Sequence, residues 1–591
     1  MKTLGIVLLY ALVLSTAVAQ VPQAPQLEWA KSYGANRRVG EGRNPSLLAV
    51  DAAGNVFIAG AFSGTVDFDP GPGLAERTSA GAFDAYLLKL DAAGNFQWVY
   101  HIGGTGADQA GAVAVDGSGH VYITGSFNAE VDFDPGPGTA VRTAQGNQYV
   151  TKIGSSRYSQ DMYICKLTGN GELVRVITIP GSEGNMLGLD AAGNVVVMGG
   201  YGASTQTPTD FNPGSGTHLL SYPDSLCCGS YMLKLDSAGN FRWAWHLGVG
   251  SNSRTMKVDP AGNIYYAGIS QSSVIPDFNP GPADSIGVNS APYIIKLDSA
   301  GRFRWARQPE GGDAEFFNLA LTSTHLYATG YFQGTVDFNP GAGTANLTSA
   351  GSYDICMLVL DTAGNYLVSE RLGGSGTDIG TAIMVDAAGS LYVGGIFGDT
   401  VDINPTGGVT NVISKGGDDG LVVKFAPSGH LVWAWTASAR NDRDTLEDHD
   451  YVYGLALGPQ GHLYVDGMFN DTIDADPCSG TFNLISTRPQ ESFIVKLNQQ
   501  VCAVTSVPVA HSAGDYSLIP NPATQSVTLS GPRDFAGSTL RLLNLTGEIV
   551  KEWKDVHGRA FALDLSGQAV GVYFVEIAGA DQVQRLQLVV Q

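Results

Sequence analysis

Apolar residues along this chain come in short runs. NVFIAGAF, DAYLLKL and FQWVYHI are examples from the first hundred residues. The runs are rich in aromatic and β-branched residues and alternate with polar positions, which predicts strands and not helices. Between them stand two kinds of polar cluster. One has the form Asp-x-x-Gly-Asn, as in DAAGN at 51 and again at 91. Its Asp caps the local backbone and its Gly supplies a positive φ, which is hairpin chemistry. The other is VDFDPGPG at 66–73, where Asp precedes Pro and Gly follows.

Both clusters recur in a fixed order. The first turn follows a small apolar run in LAVDAAGN at 48, VAVDGSGH at 113, LGLDAAGN at 187, MKVDPAGN at 256 and IMVDAAGS at 383. The second follows YLLKL at 86, YICKL at 163, YMLKL at 231 and YIIKL at 293, then MLVL, LVVKF and FIVKL. The DFDP element stands between them seven times, at roughly 63- to 74-residue spacing, the signature of a repeat array. Four antiparallel strands per repeat, seven times over, predict a β-propeller with seven blades. The seventh repeat lacks its Trp-bearing fourth strand, while an unmatched LEWAKSYG at 27–34 resembles FQWVYHIG at 96. The expected fold class is therefore all-β: a seven-bladed β-propeller closed by the N-terminal strand, with a small C-terminal β-sandwich after it. Strand direction puts both hairpin turns of every blade on one face. The DFDP loops and blade-to-blade loops fall on the other, where length varies and where binding is expected.

In the DFDP element Val66 and Phe68 alternate with Asp67 and Asp69, so the apolar pair can face inward. The first acid is Asp in all seven copies, and the second is Asp in three and Asn in four. Asn serves a turn as well as Asp but weakens a cation site, so the element reads as a blade-closing corner. Calcium held by Asp67, Asp69, Asp132 and Asp134 is the alternative, since these are hard oxygen donors.

Charge narrows the partners. With 33 basic against 55 acidic residues and a net charge of −22, the surface disfavours nucleic acid and anionic membranes. Residues 1–19 read as a cleaved secretory leader: Lys2, an apolar run, then Ala17-Val18-Ala19. No later run is long enough to span a bilayer. Export permits disulfides. Cys165 and Cys356 sit in apolar strands and read as buried thiols, Cys478 and Cys502 flank the last repeat and are placed to staple it, and Cys227-Cys228 cannot easily bond to each other.

Departures from the repeat are where chemistry is sought. Asp108, Asp378 and Asp450 share one position just before the innermost strand, and the loop ARNDRDTLEDHD adds Glu447, Asp448 and His449. Paired carboxylates of this kind suit glycosidic acid–base work. A solvated acidic loop with Asp caps on the strands is the plainer reading. Zinc-protease, phosphate-loop and nucleophile-elbow spacings are absent.

GTDIGTAIMVDAAGSLYVGG at 376–395 and GADQAGAVAVDGSGHVYITGSF at 106–127 resemble the bacterial seven-bladed β-propeller repeat family, over residues 27–502. After a linker at 503–515, residues 516–591 resemble the C-terminal sorting domain of type IX secretion cargo in Bacteroidota. The matching motifs are Pro520-Asn521-Pro522, the Leu-Thr-Gly turn at 545–547, and Gly571 with Tyr573. That resemblance implies the type IX machinery as partner and a place on the cell surface outside the outer membrane. The expectation is an exported binding or scaffold protein with a glycan or surface-protein ligand. No cofactor is expected unless calcium fills the corners. The alternative is a polysaccharide-cleaving hydrolase or lyase using carboxylates on the DFDP face.

Overall fold

The computed structural model describes residues 24–34 and 47–502, save 146–148, 151–155, 158–159, 203–207, 222–228, 250, 271–291, 407–408, 416, 439–448, 479 and 488–489. Of the tail it describes 517–519, 525–530, 535–543 save 537, 549–568 save 555, 571–578 and 583–590. Two compact units result, Val21–Val501 and one that takes in Cys502–Gln591. The leader, the linker, Cys227-Cys228, Glu447, Asp448, the fourth DFDP copy and Pro520-Asn521-Pro522 lie outside the described residues.

In the first unit the repeats fold as antiparallel meanders of four strands. Sheet 1 is Leu48–Val50, Val56–Phe62, Asp84–Leu90 and Phe96–Ile102, paired in that order. Sheets 2 to 6 follow the same order, beginning at Gln109–Val115, Met186–Leu189, Ser251–Val258, Glu310–Leu321 and Ile379–Val385. Sheet 7 is Tyr451–Leu457, Leu463–Phe469 and Glu491–Val501, and its fourth strand is Pro25–Tyr33, from the other end of the chain. In that pairing Ala30 stands opposite Val495 and Tyr33 opposite Ser492.

Apolar clusters fill the spaces between sheets. Phe57, Leu87, Val113, Ile123 and Phe133 pack sheet 1 on sheet 2. Tyr33, Tyr464 and Ile494 of sheet 7 pack in the same manner on Val56, Ile58 and Leu88 of sheet 1.

A polar grip repeats at the same junctions. Lys89 of the third strand and Trp98 of the fourth both donate to the Gly169 carbonyl, in the outer turn of the next sheet, at 2.7 and 3.3 Å. Lys296 and Trp305 do this at Thr362. Between the seventh sheet and the first, Lys496 and Trp29 take the Ala92 carbonyl at 3.0 and 3.1 Å. A Cβ on Gly94 would stand 3.0 Å from the Trp29 ring, and one on Gly171 equally close to Trp98, so these turn glycines admit the indoles.

The hairpin turns are built as their sequence predicts. Asp51 Oδ1 accepts from the Ala53 and Asn55 amides, both at 2.9 Å, and Oδ2 accepts from the Asn55 side chain. Gly54 has φ +83°.

The DFDP element is more than a loop, which corrects the four-strand expectation. Thr65–Asp67 pairs with Glu76–Thr78 as a small extra hairpin, and five further repeats show its counterpart. The turn leading into it takes a left-handed residue: Gly64 and Gly334 in two repeats, Ala129, Asp399 and Asp471 in others.

Cys165 and Cys356 are free and buried, while Cys478 and Cys502 are both disulfide-bonded. In the second unit Ser517–Ile519, Ser526–Ser530 and Ala560–Asp564 form one sheet. Thr539–Leu543, Ile549–Trp553, Gly571–Ala578 and Val583–Val590 form another. Leu529 and Leu563 of the first share a core with Leu542, Tyr573 and Val575 of the second.

Candidate functional site

Carboxylates dominate the DFDP face, and their partners are mostly backbone amides. Asp67 Oδ1 accepts from Asp69 N at 3.0 Å and Ala75 N at 2.8 Å, which fastens both legs of the corner hairpin. Asp132, Asp210, Asp337, Asp402 and Asp474 repeat this pair of bonds. Asp69 Oδ1 receives Gly71 N at 2.7 Å, and Asp134 receives Gly136 N at 2.9 Å. In the Asn copies, Asn212 and Asn339 do the same with their amide oxygen. One acceptor oxygen suffices there, which is why Asp and Asn interchange at this position. The last glycine is steric: a Cβ on Gly73 would lie 2.0 Å from Asp69 Oδ2. Val66 and Phe68 are buried beneath the corner. In Asp67 and Asp132 Oδ1 is shared between two amides, which leaves only Oδ2 of each for a cation. Among the described residues no group of three or more acids, histidines or cysteines is arranged to hold a metal ion.

Asp108, Asp378 and Asp450 lie at one equivalent place, and all three are buried, with at most 2 % of each accessible. Asp108 Oδ2 accepts from Gly104 N and Oδ1 from Asn128 N, both at 2.9 Å. Asp378 does the same with Gly374 and Gly398 at 2.8 and 3.2 Å. Asp450 Oδ1 takes Asn470 N at 3.0 Å. Each aspartate thus ties the connection entering a sheet to the end of that sheet's second strand. Burial outweighs these bonds and pushes Asp108 up to about 6 and Asp378 to about 7.

A second set of buried acids went unread in the sequence. Asp84, Asp161, Asp354, Asp419 and Glu491 open the third strands of five sheets, all at most 5 % exposed. Asp84 accepts from Ala80 N at 2.8 Å and meets His101 Nε2 at 2.6 Å; Asp354 accepts from Ala350 N and from Arg371. Burial pushes Asp419 up to about 6. The signal was present as SAGAFD at 79 and SAGSYD at 349.

His449 is the one residue predicted from the long loop that the structure both describes and leaves partly open, its side chain 32 % exposed. It stands 3.4 Å from Asp418 Oδ2. Its ring lies 5.8 Å from Tyr451, which stacks on Tyr453 at 5.4 Å and 20°. His449, just ahead of the inner strand Tyr451–Leu457, thus forms a row of three rings with alternate strand positions Tyr451 and Tyr453, the last of them buried. Several other inner strands carry small residues here, although Glu310–Leu321 has Phe316 and Phe317, and the string HDYVYG is the signal that could have shown the row. Aromatic faces beside a carboxylate can pack on a sugar ring or a peptide side chain while accepting its hydroxyl or amide hydrogens.

Residues 517–591 match the secretion system C-terminal sorting domain family. Tyr573 of the sorting motif is buried in the shared core of that unit, and Gly571 begins the same strand. The chain is 21 % identical over 487 residues to an uncharacterized WD repeat-containing protein of Acanthamoeba polyphaga mimivirus, covering 69 % of this chain and 34 % of that one. It therefore spans about a third of the length of that curated relative. Two solved structures are also similar. The Dos1 propeller has a TM-score of 0.30 and 9 % identity, covering 65 % of this chain and 91 % of its own. The mitotic checkpoint complex has a TM-score of 0.34 and 10 % identity, with 84 % and 99 % covered. At such TM-scores the fold rests on the strand order alone. No described helix is long and apolar enough to cross a membrane.

Proposed function

We propose that this chain is an exported binding or scaffold protein of the cell surface. Its seven sheets form a closed seven-bladed β-propeller, and its tail is a β-sandwich that delivers it to the type IX secretion machinery. The match of residues 517–591 to a sorting domain carries the export reading. Closure is supported by the grip of Lys496 and Trp29 on Ala92, which reuses the contact made by Lys89 and Trp98 on Gly169. A glycan or a surface protein is the ligand class, with the row His449, Tyr451 and Tyr453 as its platform. The enzyme alternative loses ground because Asp108 and Asp378 hold amides with both carboxylate oxygens.

Two experiments test this reading. A fluorescent protein fused to residues 516–591 and a leader, made in a bacterium with type IX secretion, should reach the surface and become protease-accessible. Retention inside would overturn the export reading. Tyr451→Ala should abolish whatever signal the mature protein gives on glycan and surface-protein arrays; an unchanged signal would move the ligand elsewhere.

A further inference from the structure

A row of three side chains crosses each sheet near its turn face. In sheet 1 it runs Phe57, Lys89, Trp98, neighbours across the pairing. In sheet 4 it is Tyr265, Lys296, Trp305; in sheet 6, Tyr392, Lys424, Trp433; in sheet 7, Tyr464, Lys496, Trp29. The lysine ammonium lies over the ring of the first residue at 5.4, 4.8, 4.9 and 5.6 Å respectively. That ring meets the tryptophan edge-on or tilted at 6.0 to 6.1 Å. Six of the seven sheets have an aromatic residue at the first place.

Sheet 3 is the departure. Its row is Val196, Lys234, Trp243, so the ring is missing. A cavity of about 530 Å³ opens beside Lys234 and Trp243 toward sheet 4, bordered also by Asp190, Asn194, Pro260 and Ser299; Val196 itself is fully buried and does not line it. Where sheet 2 faces sheet 3 and Tyr122 is present, the corresponding space is about 20 Å³. The groups that would surround a ring at 196 remain in place. Lys234 Nζ sits 3.3 Å from Asp190 Oδ2, with its side chain only 6 % exposed, and donates to the Ser299 carbonyl. Trp243 Nε1 is buried with no hydrogen-bond partner among the described residues, as is Trp433 Nε1 in sheet 6, whereas Trp98, Trp305 and Trp29 find a carbonyl at this place. In two of the five sheets where the ring is tyrosine its hydroxyl donates to the turn aspartate, Tyr122 to Asp116 at 3.2 Å and Tyr392 to Asp386 at 3.1 Å, whereas Tyr464 donates to the Gly54 carbonyl. Asp190 is the equivalent aspartate, and it lines the cavity.

We propose that this cavity binds a phenol ring from outside the chain, supplied by a free para-substituted phenol or by a tyrosine side chain of a partner. The ring packs beside Trp243 and under the Lys234 ammonium, and its hydroxyl donates to Asp190. This site is on the face opposite the His449 row and does not depend on the reading above.

The test titrates the mature full chain with p-cresol, toluene and N-acetyl-tyrosinamide, followed by ligand-observed NMR and calorimetry. Saturable p-cresol binding is expected, with toluene weaker by about fivefold or more for want of the hydroxyl. Val196→Tyr should weaken p-cresol by about tenfold or more. Ala300→Trp, which closes the exposed rim and leaves buried residues untouched, should do the same and covers the event that Val196→Tyr fails to fold. N-acetyl-tyrosinamide binding as tightly as p-cresol assigns the site to a partner's tyrosine, and much weaker binding assigns it to a free phenol. No saturable p-cresol binding by about 5 mM, or undiminished binding in Ala300→Trp, overturns the proposal.

Discussion

The two ends of these sheets use aspartate in opposite ways. On the turn face Asp91, Asp361 and their counterparts cap exposed hairpins. Burial is the largest single influence on each and raises it, but the hydrogen bonds together outweigh it, from Asn95 and Ala93 or from Asn365 and Ala363, so the group ends below its ordinary value. On the DFDP face Asp108 and Asp378 accept the same kind of bond, yet burial wins and the group ends above it. The donors are alike, so depth decides the sign. A carboxylate near water is stabilised as a charge, whereas one between packed sheets is tolerated for the backbone it fastens.

The largest test of that contrast is Asp378→Ala. It strands the Gly374 and Gly398 amides in a dry junction and should cost about 2–4 kcal/mol by urea unfolding. Asp361→Ala, on the turn face, leaves its amides within reach of water and should cost only about 1 kcal/mol. A cost for Asp378→Ala no larger than for Asp361→Ala would erase the distinction.

Acidity separates the faces by direction. Asp108, Asp378 and Asp419 bind protons more tightly folded than unfolded. Their contribution is complete below the unfolded carboxylate range, near pH 4, and is lost as pH rises through about 6 to 7. The lowered turn aspartates contribute above that range and lose their share as pH falls below it. Stability should therefore peak between about pH 4 and 5, as read by Tm across buffers. Asp378→Asn should flatten the fall between about pH 5 and 7 and leave the acid limb unchanged.

Two smaller effects sharpen the corner. Ala129 holds φ +59° where Gly64 and Gly334 stand in other repeats, so Ala129→Gly should gain about 1 kcal/mol in urea unfolding. Chelation with EDTA should move Tm by less than about one degree, because amides already hold the corner aspartates; a drop of several degrees would show ions there.

Periodicity made much of this legible in the sequence. The Asp-x-x-Gly-Asn turns, the runs of strands and the displaced LEWAKSYG strand all follow from local pattern. The corner hairpin escaped because Glu76–Thr78 is three residues of mixed exposure, too short for alternation to register. The acids at 84, 161, 354, 419 and 491 escaped because their partners come from a preceding loop, which no strand pattern announces. The place of Asp108 before a strand was legible in sequence but not its depth, because the Asn128 amide that encloses it lies beyond a whole hairpin. Val196 was readable in principle: it is the one aliphatic residue in a column of rings. Its meaning depends on knowing that Lys234 and Trp243 flank that column.

The strand Pro25–Tyr33 precedes every other described strand, while its mate Glu491–Val501 is the last of the first unit. Six sheets can form from neighbouring strands alone, but the seventh lacks its fourth strand until both ends of the unit are present. A unit built this way keeps one unpaired edge until its last repeat is made, and it completes itself only when both of its ends share one compartment.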